Sequence, residues 1–139
     1  MNIDRVQPYL LSLFRFVTGL MFLHYGIAKL FKFPPVEIFE TVTPLSLWGA
    51  AGTIELVFGG LLTVGLFARP AAFILSGEMA FAYFIEHFPQ SFYPLLNDGG
   101  LAIMLCFGCL YLAAAGGGPI SLDALLPSKS PLQPDTSRS

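Results

Sequence analysis

The sequence is poor in charge and in cysteine. Only 12% of its 139 residues are Asp, Glu, Lys or Arg, about half the share usual in soluble domains. The net charge of −2 comes with no basic block, which excludes nucleic-acid binding through an electrostatic footprint. Two cysteines are too few for a disulfide framework. They form Cys106-Phe-Gly-Cys109 inside an apolar stretch, where small packing residues are expected; a redox pair normally sits at an electropositive helix start. There is no dinucleotide-binding glycine fingerprint and no haem-attachment motif, so no flavin, haem or nicotinamide site is expected. His24 and His87 have no ligand partner at HxxxH spacing, so no metal site is expected either.

What fills the sequence is hydrophobic: 55% of residues are apolar and the mean hydropathy is +0.70. A chain of this length would struggle to bury so much apolar surface in water, which points to lipid as the solvent. A bilayer core about 30 Å thick takes roughly 20 apolar residues per helix. Four such runs are legible, over 10–31, 45–67, 70–88 and 99–115. The expectation is an all-α integral membrane four-helix bundle spanning residues 1–126.

Pro34 and Pro35 stop the first run, because proline lacks an amide hydrogen and restricts the residue before it. That run is too long for a signal-peptide core and no small-residue cleavage pattern follows it, so it is expected to stay in the membrane. Thr43 and Pro44 suit a cap and first turn for the second run. Ala68-Arg69 reads as a tight turn, which makes the second and third runs antiparallel neighbours. Asn97 or Asp98 would cap the fourth, and Gly116-Gly117-Gly118-Pro119 would stop it. The aromatic-rich connection from Pro89 to Gly100 reads as an interfacial loop, or as a lid over a site. "ISLDALL" reads as an interfacial turn capped by Ser121. Residues 127–139 read as a disordered tail. The Lys/Arg bias puts both termini in the cytoplasm.

Charges within such spans are costly and normally face a bundle interior. A rise of about 1.5 Å per residue puts Glu55 and Glu78 roughly 15 Å deep on adjacent helices. On the same scale His24 lies about 10 Å deep and Arg15 about 24 Å. These form a deep tier, in which the Arg15 side chain reaches either up to one of the two carboxylates or down to the cytoplasmic headgroups. Lys29, Glu86 and His87 form an outer tier, with Asp98 nearby and Glu86 as the counter-charge for Lys29. Two buried carboxyls beside one cation make a site that takes up and releases a proton. The alternative is a set of ion pairs that only fix helix register. On the first helix Arg15, Gly19, Phe22, Gly26 and Lys29 share one stripe, and His24 falls about 180° from Arg15. His24 therefore faces another neighbour or an oligomer partner, unless the helix is distorted. The glycines suit close helix packing.

The succession "LFRFVTGLMFLHYGIAKLF", "GTIELVFGGLLTVGLFARPAAFILSGEMAFAYF", "HFPQSFYPLLNDGGLAI" and "LYLAAAGGGPISLD" resembles the DoxX family of small bacterial membrane proteins. The resemblance runs over about residues 10–125. It implies a four-helix membrane bundle associated with redox chemistry, with Arg15, His24, Gly26, Lys29, Glu55, Arg69 and His87 at matching positions. Relatives often read Gly-Gly-Glu at the start of the last helix; here Asp98 precedes Gly99-Gly100 and Leu101 follows.

The expected function is therefore that of a membrane component of a redox system. It would offer a bundle cavity to a quinone-like lipid and receive electrons from a soluble redox enzyme. The site candidates are Arg15, His24, Lys29, Glu55, Glu78, Glu86 and His87. Two alternatives stand beside it: an oligomeric permeation unit for protons or small solutes, and a structural membrane anchor for soluble redox enzymes.

Overall fold

The computed structural model describes residues 2–127, and every regular element within them is helical. The expected tail thus lies, beyond Pro127, outside the described residues.

Helix α1, Ile3–Phe31, begins seven residues before the apolar run. Asn2 accepts a hydrogen bond from the Asp4 amide at 3.1 Å and so caps a polar first turn. The helix ends at Lys32, whose backbone turns left-handed at φ 59. The Lys32 ammonium donates to the carbonyls of Lys29, Phe39 and Val42. It thereby satisfies one free carbonyl at the helix end and pins the following loop, with its 3₁₀ turn at Glu37–Phe39.

Helix α2 is Leu47–Val64. Its cap is Ser46, which accepts from the Gly49 amide at 3.0 Å, in place of the expected Thr43. Thr43 instead accepts the Ser46 hydroxyl proton at its carbonyl. Gly65 ends α2 at φ 73, and the Leu66 amide reaches back to the Leu61 carbonyl at 3.0 Å. This closure favours glycine because only there is the left-handed backbone free of a Cβ clash. The reversal is therefore Gly65–Phe67. Ala68 and Arg69, expected as the turn, already belong to α3, Ala68–Ala82. A π-helical turn at Tyr83–His87 prolongs α3. A single turn, α4, Pro94–Asn97, leads into α5, Gly100–Ala115. Ser121 accepts from the Ala124 amide and caps α6, Leu122–Leu125.

The helices pack chiefly as two pairs, α1 on α2 and α3 on α5, joined along α2 and α3. The α1–α2 crossing is antiparallel and close. A Cβ on Gly26 would lie 2.6 Å from the Leu56 nitrogen, and one on Gly59 would lie 2.8 Å from the Leu23 nitrogen. Phe22, Leu62, Leu75, Met79, Cys109 and Leu112 form the centre of the core. Cys109 is fully buried there and both cysteines are free thiols. The outward faces are as apolar as the core: Phe73, Phe81, Met104 and Phe107 are 62–71% exposed. Helices α1 and α2 are long and apolar enough to cross a membrane, and α5 is apolar but shorter.

Candidate functional site: a buried lysine and two carboxyls

The α1–α2 register decides the site. Lys29 lies beside Gly52, where an added Cβ would stand 3.0 Å from the Lys29 Cβ. Glu55 is about one helical turn further in. The Lys29 side chain extends inward over that turn, and its Nζ donates to Glu55 Oε1 at 2.8 Å. Both residues are buried. Phe39 and Trp48 wall the ammonium, with ring centroids 5.6 and 5.8 Å from Nζ. Their negative ring faces attract the cation. Phe39 comes from the loop that Lys32 pins, so two lysines cooperate: one holds the loop and the other receives its ring.

Glu78 of α3 completes the group. Its carboxyl lies within electrostatic reach of both Glu55 and Lys29. Glu55 Oε2 and both Glu78 oxygens are buried without a hydrogen-bond partner among the described residues. A buried polar atom left unpaired is costly, so three in one place mark the site as unfinished by the fold alone. Chemically, one ammonium faces two carboxyls.

This corrects two expected pairings. Lys29 pairs with Glu55 and not with Glu86. Glu86 sits half-buried on the π-helical turn, without an ion-pair partner among the described residues; its backbone carbonyl accepts from Gln90. Arg15 does not face the carboxylates either. It is buried near the middle of α1, beside the end of α2, where its guanidinium donates to the carbonyls of Gly117, Leu62, Thr63 and Ile120. Leu62 and Thr63 lie in the last turn of α2, where free carbonyls and the helix dipole both favour a cation. At that same end the Asp123 carboxylate accepts from the Phe67 and Ala68 amides at 2.8 and 2.9 Å, capping α3. Arg69 Nη1 donates to the Ala114 carbonyl. The end of the bundle is thus locked by Arg15, Arg69 and Asp123. A lateral groove of about 590 Å³ opens beside it, with Leu13, Phe16, Val64 and Leu125 around Ser12 and Arg15.

The two histidines part company. His87 Nδ1 lies 2.8 Å from the Asn97 carbonyl oxygen, and its ring stacks on Tyr83. Asn97, fully buried, donates to the Tyr83 hydroxyl and the Ser91 carbonyl and accepts from the Gly99 amide. So Asn97 organises the connection before α5 as its hub. Asp98 does not cap α5; its backbone is left-handed at φ 55 and its side chain is exposed. His24 is exposed on the outer face of α1 and makes no hydrogen bond among the described residues.

The sequence reading missed Phe39, Trp48 and Asn97 as parts of these clusters. The only signal was compositional: Trp48 is the sole tryptophan and opens an apolar run. Loop contacts carry no periodicity that a sequence pattern could expose.

An uncharacterized protein of Haemophilus influenzae is 38% identical over 136 residues, covering 88% of this chain and 94% of the relative. No solved structure matches the chain. The DoxX family model matches residues 10–88, a stretch that contains Arg15, Lys29, Glu55 and Glu78 together with the loop that carries Phe39. With more than half of the chain under that match and the relative aligned nearly end to end, the protein belongs to the membrane-associated DoxX family.

Proposed function

We propose that the protein is a multi-pass component of the bacterial inner membrane that serves a redox system, and that its Lys29–Glu55–Glu78 centre holds and releases one proton. In this reading α1, α2, α5, and α3 with its π-helical extension are four spans, with both termini cytoplasmic. The apolar outward faces and the distribution of Lys and Arg support that topology.

The observation that carries the functional reading is the set of three unpartnered carboxyl oxygens beside a single ammonium. A proton on Glu78 lets it donate to Glu55 Oε2. Glu55 then bridges Lys29 and Glu78, and the group as a whole is neutral. Removing that proton leaves a net negative charge in a low-dielectric interior, so the centre can exchange a proton with chemistry that generates or consumes one. A quinone-like lipid is the redox ligand that suits the setting. The groove beside Arg15 has a volume within the ordinary range for small-ligand sites and opens toward the apolar surface. A soluble enzyme would supply the electrons.

Infrared spectroscopy of the protein in lipid tests the proton. A protonated-carboxyl stretching band is expected in the wild type and is expected to vanish in Glu78→Gln. If the band is missing from the wild type, the reading of the centre fails. Binding of a short-chain quinone to the purified protein, weakened in Leu13→Trp, tests the ligand separately.

A further inference from the structure

The Lys29–Glu55–Glu78 centre is closed very differently at its two ends. Toward Arg15 it is backed by solid core, in which Phe22, Leu62, Leu75 and Leu112 are at most 1% exposed. From Lys29 to Arg15 that packing runs roughly 20 Å along α1. Its buried hydroxyls are that of Thr18 and that of Ser76, which donates to the Cys106 carbonyl at 2.7 Å. Among the described residues the Cys109 thiol, within electrostatic reach of Glu78, is the one titratable group buried inside it.

On the loop side of α1 and α2 the cover is one ring thick. Phe39 is buried against the Lys29 ammonium, while Glu37 and Glu40, on either side of it, are exposed. Two exposed charges put the other face of that turn in water. Trp48, half-buried, closes the flank. The backbone bonds of the turn are local: Phe39 to Val36, Glu40 to Glu37 and Val42 to Phe39. Among the described residues, the hydrogen bonds that tie residues 33–42 to the helices all come from Lys32 Nζ, which donates to the Phe39 and Val42 carbonyls. The matching cover over α3 and α5 is held more firmly. There the fully buried Asn97 side chain bonds Tyr83, Ser91 and Gly99 at once.

We infer that the centre exchanges its proton with one face of the bundle alone, through a gate formed by Phe39 and latched by Lys32. The inference rests on the proton centre and the topology proposed above, which make this the outer face. When Lys32 releases the two carbonyls, the 3₁₀ turn has no other polar hold and Phe39 lifts from the ammonium. Local openings of this kind draw on the segments with fewest contacts to the rest of the fold. Water then reaches Lys29 and Glu55. The proton moves from the Glu78–Glu55 pair to that water, leaving two carboxylates and a hydronium ion, and it returns by the same route. The centre is thus a proton store filled and emptied from the outer face, not a path across the bilayer.

Two readouts test it. The first is the shift of the protonated-carboxyl infrared band after rapid transfer into D2O. Lys32→Met and Phe39→Ala are each expected to speed that shift by about tenfold or more. Lys32→Arg, which keeps a cationic donor, and Leu62→Val, in the inner packing, are expected to stay near the wild type. The second readout needs no proton on the centre. A membrane-impermeant amine reagent is applied to sealed vesicles of each orientation, and Lys29 labelling is read by peptide mass. In Lys32→Met, Lys29 is expected to label from the face that carries the 32–46 loop and not from the face that carries the termini. A Cys109 thiol that stays unreactive in the same sample shows an intact bundle; if it reacts, Phe39→Ala, which keeps the latch, carries the test. Labelling from the terminal face or from neither face overturns the gate. So does an exchange rate that Lys32→Met and Phe39→Ala leave unchanged, or that Leu62→Val raises as much. A wild type with no carboxyl band removes the proton centre, and the inference with it, even where labelling is one-sided.

Discussion

The Lys29 ammonium lies 2.8 Å from Glu55 Oε1 because its side chain runs inward along the α1–α2 contact. Long cationic side chains near the end of an apolar helix usually reach for water. Here two aromatic rings and a carboxylate turn the lysine the other way. The contact joins α1 to α2 and brings the loop between them onto the same group.

That contact makes stability strongly sensitive to breaking the pair by halves. Lys29→Met leaves the Glu55 carboxylate buried without its cation, at a cost of about 3–5 kcal/mol. Lys29→Met combined with Glu55→Leu should recover most of that loss, since neither charge is then desolvated. Unfolding in mixed micelles measures both, and equal losses in the single and double variants would contradict the assignment.

Phe39 should control access to the ammonium. Phe39→Ala removes one ring from over Lys29 while leaving the Lys32 contacts to the loop carbonyls in place. Amine-reactive labelling of Lys29 is expected to be faster in that variant. Unchanged labelling would mean that the ring does not shield the site.

Gly26 should tolerate no side chain. A Cβ there meets the α2 backbone rather than a flexible chain end. Gly26→Ala is expected to push the helices apart and destabilise by about 1–3 kcal/mol. Gly77→Ala is the control, since its Cβ would meet nothing within 4 Å. Thermal unfolding of the two variants compares them directly.

Arg15 should not be replaceable by lysine. Its four carbonyl partners are spread over two segments and match the planar guanidinium fork. Arg15→Lys is expected to loosen residues 116–126, seen as faster proteolysis there. Asp123→Ala should add to this by uncapping α3, at about 1–2 kcal/mol. Protection equal to that of the wild type in Arg15→Lys would show that charge alone suffices.

Much of the helical framework was legible because its signals are local. Apolar runs, the prolines after Phe31 and the glycines after Ala115 each act within a few residues. The angular argument for α1 also reached the right faces: Arg15, Gly19, Phe22, Gly26 and Lys29 are all buried, and His24 is exposed. It works because 100° per residue is a property of the backbone. The helix ends were less legible. Ser46 and not Thr43 caps α2, since both are competent caps and only the loop path chooses between them.

The sequence by itself determined that this chain carries ionisable groups within apolar helices, and which groups share a face of α1. Only the tertiary structure decided which charge answers which. Depth estimates along separate helices set Arg15 near the carboxylates and Lys29 at the rim. The close α1–α2 crossing at Gly26 and Gly59 fixed a register in which Lys29 reaches Glu55. The carbonyls at the end of α2 and in residues 117–120 claimed Arg15. Pairing in a bundle depends on relative helix register and on side-chain reach, and neither is encoded within a single helix.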